Sequence, residues 1–399
     1  IYDQLVSGYR LPAEGNTGAA LVIGALDPAG RPAELIIDDR FHGGSLEAND
    51  AGVSDFYFRT KQSDIAYIAT GRHPNLRDPG GAAFWSNIEL APDSDATLKI
   101  LWHARAIASD LLITNNTLAG NPGTTAKVIA DGHSHLITQG IRIGTGPESR
   151  GTAVFDLRGG SEVDVTARMG FSKAEGAQVK TTITASDAVF NLYGFRNRDR
   201  DRHTGLEPDA DSHFVLFSGI DTDEGDTITI GPDGLTLNTL FSDSDGGDQW
   251  RPVVRVASTA GLSGSGAITK KGDNTLVITA DNSSYSGTWL VAGGNLTLGG
   301  RGLLENNSIA NRSEWGRRYT KDVTGGIWSG DDSYNPNANL GTGDVSLSWS
   351  STQLTVAMDQ RTEPLRIRRV YGPGSFRALT TDRLTLQGSF EHTGVTEFD

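Results

Sequence analysis

Cysteine is absent from the 399 residues of this chain, and methionine occurs only twice. A chain without cysteine has no disulfide framework and no thiol chemistry, so both are excluded. The same absence suits a protein that crosses the periplasm unfolded and folds outside, because no disulfide has to form on the way. We therefore expect an extracellular protein or one on the outer cell surface.

Long hydrophobic runs are also missing. The longest apolar run covers residues 19–26 and is too short to span a bilayer, so we expect no transmembrane segment in this chain. The first residue is Ile1 rather than Met, as after removal of an export signal or in a trimmed sequence.

Positive charge is in deficit, because 35 Lys and Arg face 49 Asp and Glu and the formal net charge is −14. The field of such a protein repels a phosphate backbone. We therefore expect no nucleic-acid partner.

Convincing amphipathic helices are a further absence, because the apolar residues do not recur at helical spacing between caps. The chain instead contains 50 Gly and short apolar triplets between clusters of Gly, Asn, Asp and Ser. Three triplets, at 276–278, 289–291 and 296–298, follow one another at intervals of about ten residues. This spacing predicts one strand, one corner and the next strand, as in a β-solenoid whose coils contact only their neighbours.

The stretch 264–298 resembles the autotransporter-associated β-strand repeat. It departs from the usual form at Ala280, at Trp289 and by one extra residue near Ser283. The resemblance implies a right-handed parallel β-helix on an exported bacterial protein. It implies no catalytic residues, because the repeat of that family is architectural. The matching positions are Lys270, Gly272, Thr275, Leu276, Ile278, Asn282, Tyr285, Ser286, Gly287, Val291, Gly294 and Leu296.

A second, weaker copy of the pattern begins at Gly372, which aligns with Gly264, and Phe376 then aligns with Ile268. Self-similarity of this kind is the sequence signature of stacked coils. The copy stops at 398–399, before its closing strand. We expect either that the polypeptide continues or that a neighbouring molecule supplies the missing strand.

We therefore predict an all-β fold: a right-handed parallel β-helix (β-solenoid) with an N-terminal cap and loop excursions. The predicted segments are 1–60 for the cap and first coils, 61–311 for the β-helix, 312–343 for an irregular insertion rich in Trp, Gly and Asp, and 344–399 for C-terminal coils with the second, incomplete repeat. The cap should contain a hairpin that turns at 27–30, and 196–211 should form an excursion loop. The predicted core comprises Val163, Val165, Ile228, Ile230, Leu276, Ile278, Leu290, Leu296, Leu298, Leu384 and Leu386.

Carboxylates on glycine-bent loops are candidate ligands for calcium, which takes about six to eight oxygens. Asp243, Asp245 and Asp248 lie on one such loop, although no Glu stands where an EF-hand needs its bidentate ligand, and 221–226 is a similar loop. A solvated acidic corner is the alternative for both. Apart from this calcium we expect no cofactor.

Two histidines form a second candidate metal pair. His133 and His135 would share one face of a strand, where both imidazoles could reach one ion. No third ligand is near them in the sequence, since Asp131 belongs to a turn.

Parallel β-helices also carry polysaccharide lyases and hydrolases, so an enzyme of this class is an alternative. Glycoside hydrolysis needs two carboxylates across a groove, and the hydrolase pattern N-x-D, D-D, G-H-G and R-x-K in that order is absent. The pairs at 38–39 and 331–332 are isolated. We therefore assign no catalytic residue.

Tryptophans offer contact surface instead of catalysis. Trp102 and Trp289 lie within apolar alternation, so we expect both in the core. Trp315 and Trp328 lie among polar residues and are candidates for exposed contacts with sugars.

The functional hypothesis therefore rests on the predicted solenoid shape rather than on a catalytic site. We expect an extracellular structural or adhesive surface protein that associates head to tail into a filament or surface layer. A monomeric adhesin in an autotransporter passenger is the first alternative, and the polysaccharide lyase or hydrolase is the second. Expected partners are identical subunits, a surface glycan or a cell-surface receptor. The interface would comprise Tyr2, Leu5, Leu384, Leu386, Val395 and Phe398.

Overall fold

A computed structural model describes residues 21–23, 32–38, 56–58, 65–70, 82–113, 123–165, 169–194, 214–221, 224–241, 254–256, 261–272, 275–299, 338–358, 364–379 and 385–398. These segments form strands, bridges, turns and bends without a helix, which confirms the all-β class. Accordingly, they contain no helix with the length and hydropathy needed to cross a membrane. Closure of the strands into a right-handed coil stays a prediction.

The strands are β1 (Leu21–Ile23), β2 (Ala33–Asp38), β3 (Phe56–Phe58), β4 (Ile65–Thr70), β5 (Ala82–Leu90), β6 (Ala96–Leu101), β7 (Arg105–Ile113), β8 (Thr124–Asp131), β9 (His135–Ile143), β10 (Arg150–Val165), β11 (Met169–Lys173), β12 (Gln178–Gly194), β13 (Phe214–Ser218), β14 (Thr227–Ile230), β15 (Leu235–Phe241), β16 (Val254–Val256), β17 (Leu262–Gly264), β18 (Ile268–Lys271), β19 (Thr275–Ile278), β20 (Trp289–Val291), β21 (Asn295–Gly299), β22 (Val345–Leu347), β23 (Gln353–Ala357), β24 (Leu365–Gly372), β25 (Ser375–Leu379), β26 (Leu386–His392) and β27 (Thr396–Phe398).

The chain divides into two compact units. The first comprises Ile1–Asp164 and Lys173–Thr182, and the second comprises Val165–Ser172 and Ile183–Asp399. The four segments expected from the sequence stay a prediction.

In the first unit, β2, β6, β8 and β10 pair side by side in parallel, and we call this set the Ala33 row. Side chains alternate along a strand, so every second position of the row faces the same side. The pairing is in register, and one alanine of each strand shares a position: Ala33, Ala96, Ala126 and Ala153. Two residues later the shared position holds Leu35, Leu98, Val128 and Phe155, each at most 1% exposed.

A second parallel row of the first unit, the Leu21 row, consists of β1, β5, β7 and β9. Burying one Leu or Ile side chain contributes about 1.5–3 kcal/mol, so repeated burial stabilises strands that are short on their own. One apolar position of the row is shared by Leu21, Ile88, Leu111 and Ile141, and the position two residues later by Ile23, Leu90, Ile113 and Ile143.

The predicted hairpin in the cap is wrong. β1 pairs in parallel with β5, and β2 pairs in parallel with β4 and β6. Within the described residues, the antiparallel pairing joins β3 to β4 instead. A turn sequence favours a change of chain direction, but it does not decide that the strands on either side pair with each other.

Two parallel rows also organise the second unit. The Ile268 row consists of β15, β18, β20, β22, β24 and β26. The Leu276 row consists of β16, β19, β21, β23, β25 and β27. Trp289 pairs directly with Val345. The rows therefore keep their register on either side of residues 300–337, the segment that contains most of the predicted insertion.

The rows correct the alignment of the two repeat copies. Ile268 pairs with Trp289 in the Ile268 row. Its aligned counterpart, Phe376, pairs with Leu354 in the Leu276 row. The strands that align between the two copies in the sequence therefore belong to different rows in the structure.

The physical reason is that the glycine signature marks a corner, and different corners need the same backbone. Gly264 and Gly372 have positive φ angles of 97° and 107°. A Cβ atom at Gly264 would lie 2.1 Å from the Ile230 carbonyl oxygen, and one at Gly372 would lie 2.2 Å from that of Leu347. Both positions thus require glycine, although they precede strands of different rows.

Most of the predicted core is confirmed, with two exceptions among the described residues. Leu290 is only partly buried, because it lies between the inward-facing Trp289 and Val291 and points outward. Leu386 is also only partly buried, and Leu384 lies outside the described residues. The confirmed residues, each at most 1% exposed, are Val163, Val165, Ile228, Ile230, Leu276, Ile278, Leu296 and Leu298.

Buried polar side chains hold the corners of the second unit. Lys270 is 0% exposed, and its Nζ donates hydrogen bonds to the carbonyls of Gly272 at 2.5 Å and Gly293 at 2.7 Å. Asn282 accepts a hydrogen bond from the Leu262 N–H at 2.8 Å. Corners leave backbone groups without strand partners, and a buried group left unpaired is costly. The polar positions that match the repeat therefore have a structural role.

Tyr285, which lies between β19 and β20, likewise pairs a backbone carbonyl at a corner. It is 0% exposed, and its hydroxyl donates a hydrogen bond to the Gly266 carbonyl at 2.8 Å. Its ring packs against Trp289 in a T-shaped arrangement, with the ring centroids 5.9 Å apart. Burial raises the pKa of Tyr285 well above its ordinary value of 10.0, and a backbone hydrogen bond at Ile268 opposes this shift more weakly. The phenol therefore holds its proton more tightly in the folded protein than in the unfolded chain.

We expect Tyr285→Phe to lower the free energy of unfolding at neutral pH by about 1–1.5 kcal/mol, because the Gly266 carbonyl loses its donor. Since the folded pKa is raised, the contribution of Tyr285 is complete below its unfolded pKa of 10.0. It is lost as the pH rises further, by about 1.4 kcal/mol per pH unit. Urea unfolding of both proteins should therefore show a stability difference that shrinks in alkali. Tyr371→Phe, at a partly exposed tyrosine, is the control, and a Tyr285→Phe difference that stays constant in alkali would contradict this expectation.

Candidate functional site

Three stacked corners of the first unit form its most distinctive described surface. They are residues 102–103 after β6, 132–133 after β8 and 159–160 within β10. All six residues have positive φ, from 50° to 74°, which is uncommon outside glycine. Hydrogen bonds join the corners, from the His103 N–H to the Gly132 carbonyl at 2.9 Å and from the His133 N–H to the Gly159 carbonyl at 2.8 Å. Stacking therefore imposes one backbone shape on three different sequences.

Two histidine rings stack on this surface. The centroids of His103 and His133 lie 5.4 Å apart, and the ring planes differ by 12°. Gly160 supplies the next level, because a Cβ atom there would lie 2.2 Å from His133 Nδ1. The absence of a side chain at Gly160 thus leaves room for the ring. Both histidines are exposed, so the stack presents imidazole edges to solvent.

Trp102 covers the neighbouring corner and overturns one expectation. A Cβ atom on Gly132 would lie 3.2 Å from Trp102 Cδ2, so the indole packs over that glycine. The residue is nevertheless 44% exposed. Its predicted place in the core is wrong, because β6 ends at Leu101 and the corner turns the next side chain away from the apolar face. Trp289 is 0% exposed and is confirmed as core.

An ion pair borders the aromatic side chains. Arg158 Nε lies 3.1 Å from Asp131 Oδ2, and Arg158 Nη1 lies 3.6 Å from Asp156 Oδ2. The side chains of Arg158 and Asp131 are 53% and 38% exposed. Exposed ion pairs contribute only about 0–1 kcal/mol, so these groups can exchange their contact for a ligand at little cost.

We call Trp102, His103, Asp131, His133 and Arg158 the corner surface. It combines exposed imidazole and indole side chains with a donor and an acceptor held side by side. Trp and Arg are enriched among the residues that dominate binding energy at interfaces. The arrangement is therefore suited to binding. Arg158 was not predicted from the sequence as a site residue, although the paired glycines at 159–160 signal a corner beside it.

Several sequence-based candidates lie outside the described residues, so calcium binding and the N-terminal interface stay predictions. They are Asp243, Asp245, Asp248, Tyr2, Leu5, Leu384, Trp315 and Trp328.

The other two metal candidates have specific environments. The carboxylate of Asp226, which is 2% exposed, accepts a hydrogen bond from the Asp221 N–H at 2.8 Å and thereby closes its own loop. His133 belongs to the corner surface, whereas His135 begins β9 and contacts Asp164 of β10. The structure therefore places the two histidines in different surroundings.

The predicted C-terminal interface residues are exposed where they are described. Val395 is 69% exposed and Phe398 is 71% exposed, and Leu386 is partly exposed. Phe390, at 38% exposure, lies beside them in the same rows. We call these four residues the Phe398 surface.

Comparison with known proteins gives one distant relative. The chain is 27% identical over 243 residues to the adhesin BmaC autotransporter of Brucella suis biovar 1 (strain 1330). The match covers 59% of this chain and 6% of the length of that protein. No protein-family model matches the chain, and no solved structure matches it.

We expect Gly160→Ala to destabilise the protein by about 1–3 kcal/mol, because alanine would have to adopt the positive φ of this position and its methyl group would displace the His133 ring. Gly146→Ala is the matched control in the same unit, since nothing lies within 4 Å of a Cβ atom there. The control should be neutral or stabilising by about 0.4–1 kcal/mol. Urea unfolding measures both changes, and NMR of the histidine ring protons reports the stack. Equal stability of the two variants would contradict the role assigned to Gly160.

Proposed function

We propose that this chain is part of an autotransporter passenger and acts outside the cell as an adhesin. The main observation behind this proposal is the match over 243 residues to a protein named as an autotransporter adhesin. Support comes from the all-β structure with parallel rows and from the repeat-like stretch 264–298. Since the chain spans 6% of that relative, the proposal concerns this segment and leaves the activity of the whole relative aside.

The proposed role is binding rather than catalysis, and the corner surface is its contact site. A stacked pair of imidazoles, an indole that is 44% exposed and the Asp131–Arg158 pair offer both apolar and polar contacts. An exposed indole suits the apolar side of a sugar or an aliphatic side chain, and the ion pair suits hydroxyls or charged groups. The proposed partner is a cell-surface glycan or receptor.

Beads coated with the purified chain test adhesion to cultured epithelial cells. Wild-type chain should retain more beads than an albumin coating does, and Trp102→Ala should weaken retention at least about tenfold, as expected for an interface tryptophan. Trp349→Ala is the matched control, because Trp349 is 63% exposed and lies in the second unit. Retention no better than albumin would reject the adhesive function. Equal loss in both variants would reject the corner surface as its site.

Head-to-tail association remains our proposal for how copies of the chain assemble. The observation that favours it is the Phe398 surface, where Val395, just before β27, and Phe398, in β27, expose their apolar side chains. Phe398 meets the buried Phe376 at 6.3 Å between ring centroids, so the surface continues an apolar row. A strand added from a second copy would cover it and pair with its backbone.

We expect wild-type chain to form concentration-dependent oligomers in sedimentation velocity experiments, and Val395→Asp to shift the population toward monomer. The introduced charge would be desolvated in the contact, which is costly. Thr393→Asp is the control, because it adds the same charge at an exposed position nearby without removing apolar surface. Wild-type chain that sediments as a monomer at every concentration would contradict self-association.

A further inference from the structure

Three side chains with metal-ligating atoms converge where β9 begins and β10 leaves its corner. They are His135, Glu162 and Asp164, and one ligand atom of each lies within 4.8 Å of the others. Glu162 and Asp164 are two residues apart on a strand, so they face the same side. The Glu162 N–H donates to the Ser134 carbonyl at 2.8 Å, which sets His135 beside them. The topology therefore brings one imidazole and two carboxylates together.

The separations fit ligands around one ion. His135 Nε2 lies 2.9 Å from Asp164 Oδ2 and 3.8 Å from Glu162 Oε2. Atoms bound about 2.1 Å from a tetrahedral Zn²⁺ lie about 3.4 Å from one another, and the two measured distances lie on either side of that value. Small side-chain rotations would make them equal.

Burial supplies a second, independent observation. The Nε2 atom of His135 is inaccessible to solvent and makes no aligned hydrogen bond, although it lies 2.9 Å from Asp164 Oδ2 and the His135 side chain as a whole is 19% exposed. Asp164 itself is 7% exposed. A buried polar atom without a hydrogen bond is costly, and a cation between the ring and the two carboxylates would remove that cost.

We propose that His135, Glu162 and Asp164 bind a first-row divalent transition-metal ion such as Zn²⁺. Calcium takes oxygen ligands, whereas an imidazole favours zinc and its neighbours. Two carboxylates and a neutral imidazole balance the charge of a divalent ion. Three protein ligands leave a fourth position for water or an oxygen of a ligand. The site would exist whether or not the chain is an adhesin.

Isothermal titration of the chelator-treated chain with Zn²⁺ alone tests the site. We expect saturable binding of one ion, and Glu162→Gln should raise the dissociation constant at least about tenfold. The side chain of Glu162 is 46% exposed, so this variant should fold, and circular dichroism checks that it does. Co²⁺ offers a second readout, because its visible absorption reports coordination by a histidine nitrogen.

The control is His133→Ala, which removes a histidine two residues away and leaves the three ligands in place. It should bind Zn²⁺ like the wild type, while His135→Ala should not bind. Absence of saturable binding to wild-type chain would overturn the proposal. Unchanged affinity in folded Glu162→Gln and His135→Ala would overturn it as well. Loss of binding in His133→Ala alone would do the same, since it would place the ion at the histidine stack.

Discussion

In-register parallel pairing is the constraint on which the described structure depends. Each residue lies beside its counterpart on the next strand, about 4.8 Å away, so side chains of one row must be compatible in size. The Ala33 row meets this condition with alanine in four strands. The Ile268 row meets it differently, because Trp289 lies between Ile268 and Val345 and donates its indole N–H to the Leu340 carbonyl at 2.8 Å. The bulky indole of Trp289 is accommodated in this row together with a hydrogen-bond acceptor for its N–H.

Corners follow the opposite rule, because they have to supply backbone shape rather than apolar volume. At 102–103 and 159–160 the same positive φ angles are adopted by Trp-His and by Gly-Gly. The hydrogen bonds between stacked corners compensate for the cost of the left-handed backbone at non-glycine residues. Side chains at corners can therefore differ between strands without disturbing the rows. This freedom allows corners to carry exposed aromatic residues such as those at 102–103 and 133.

The strands and much of the core could be predicted from the sequence, because burial alternates with period two at positions such as Ile228 and Ile230. Strand stacking could not. Gly264 and Gly372 have the same sequence signature because both corners need a positive φ, and only the strand pairing shows that Ile268 and Phe376 belong to different rows. The candidate site was mostly missed for a related reason. Trp102 follows an apolar alternation that ends one residue earlier, and Glu162 and Asp164 reach His135 only through pairing between strands that are distant in sequence.

The stacked corners of the first unit therefore contribute to its stability and also position the side chains that we propose for binding. Gly160 leaves the space that the His133 ring fills, so the stack of imidazoles exists because a neighbouring corner lacks a side chain. The loop from His133 to His135 then places one histidine on the corner surface and the other beside Glu162 and Asp164. Buried Ser134 lies between them and accepts the hydrogen bond of the Glu162 N–H through its carbonyl. One backbone hydrogen bond thus fixes the position of two chemically different groups, and a shift of register between β9 and β10 would separate both from their partners.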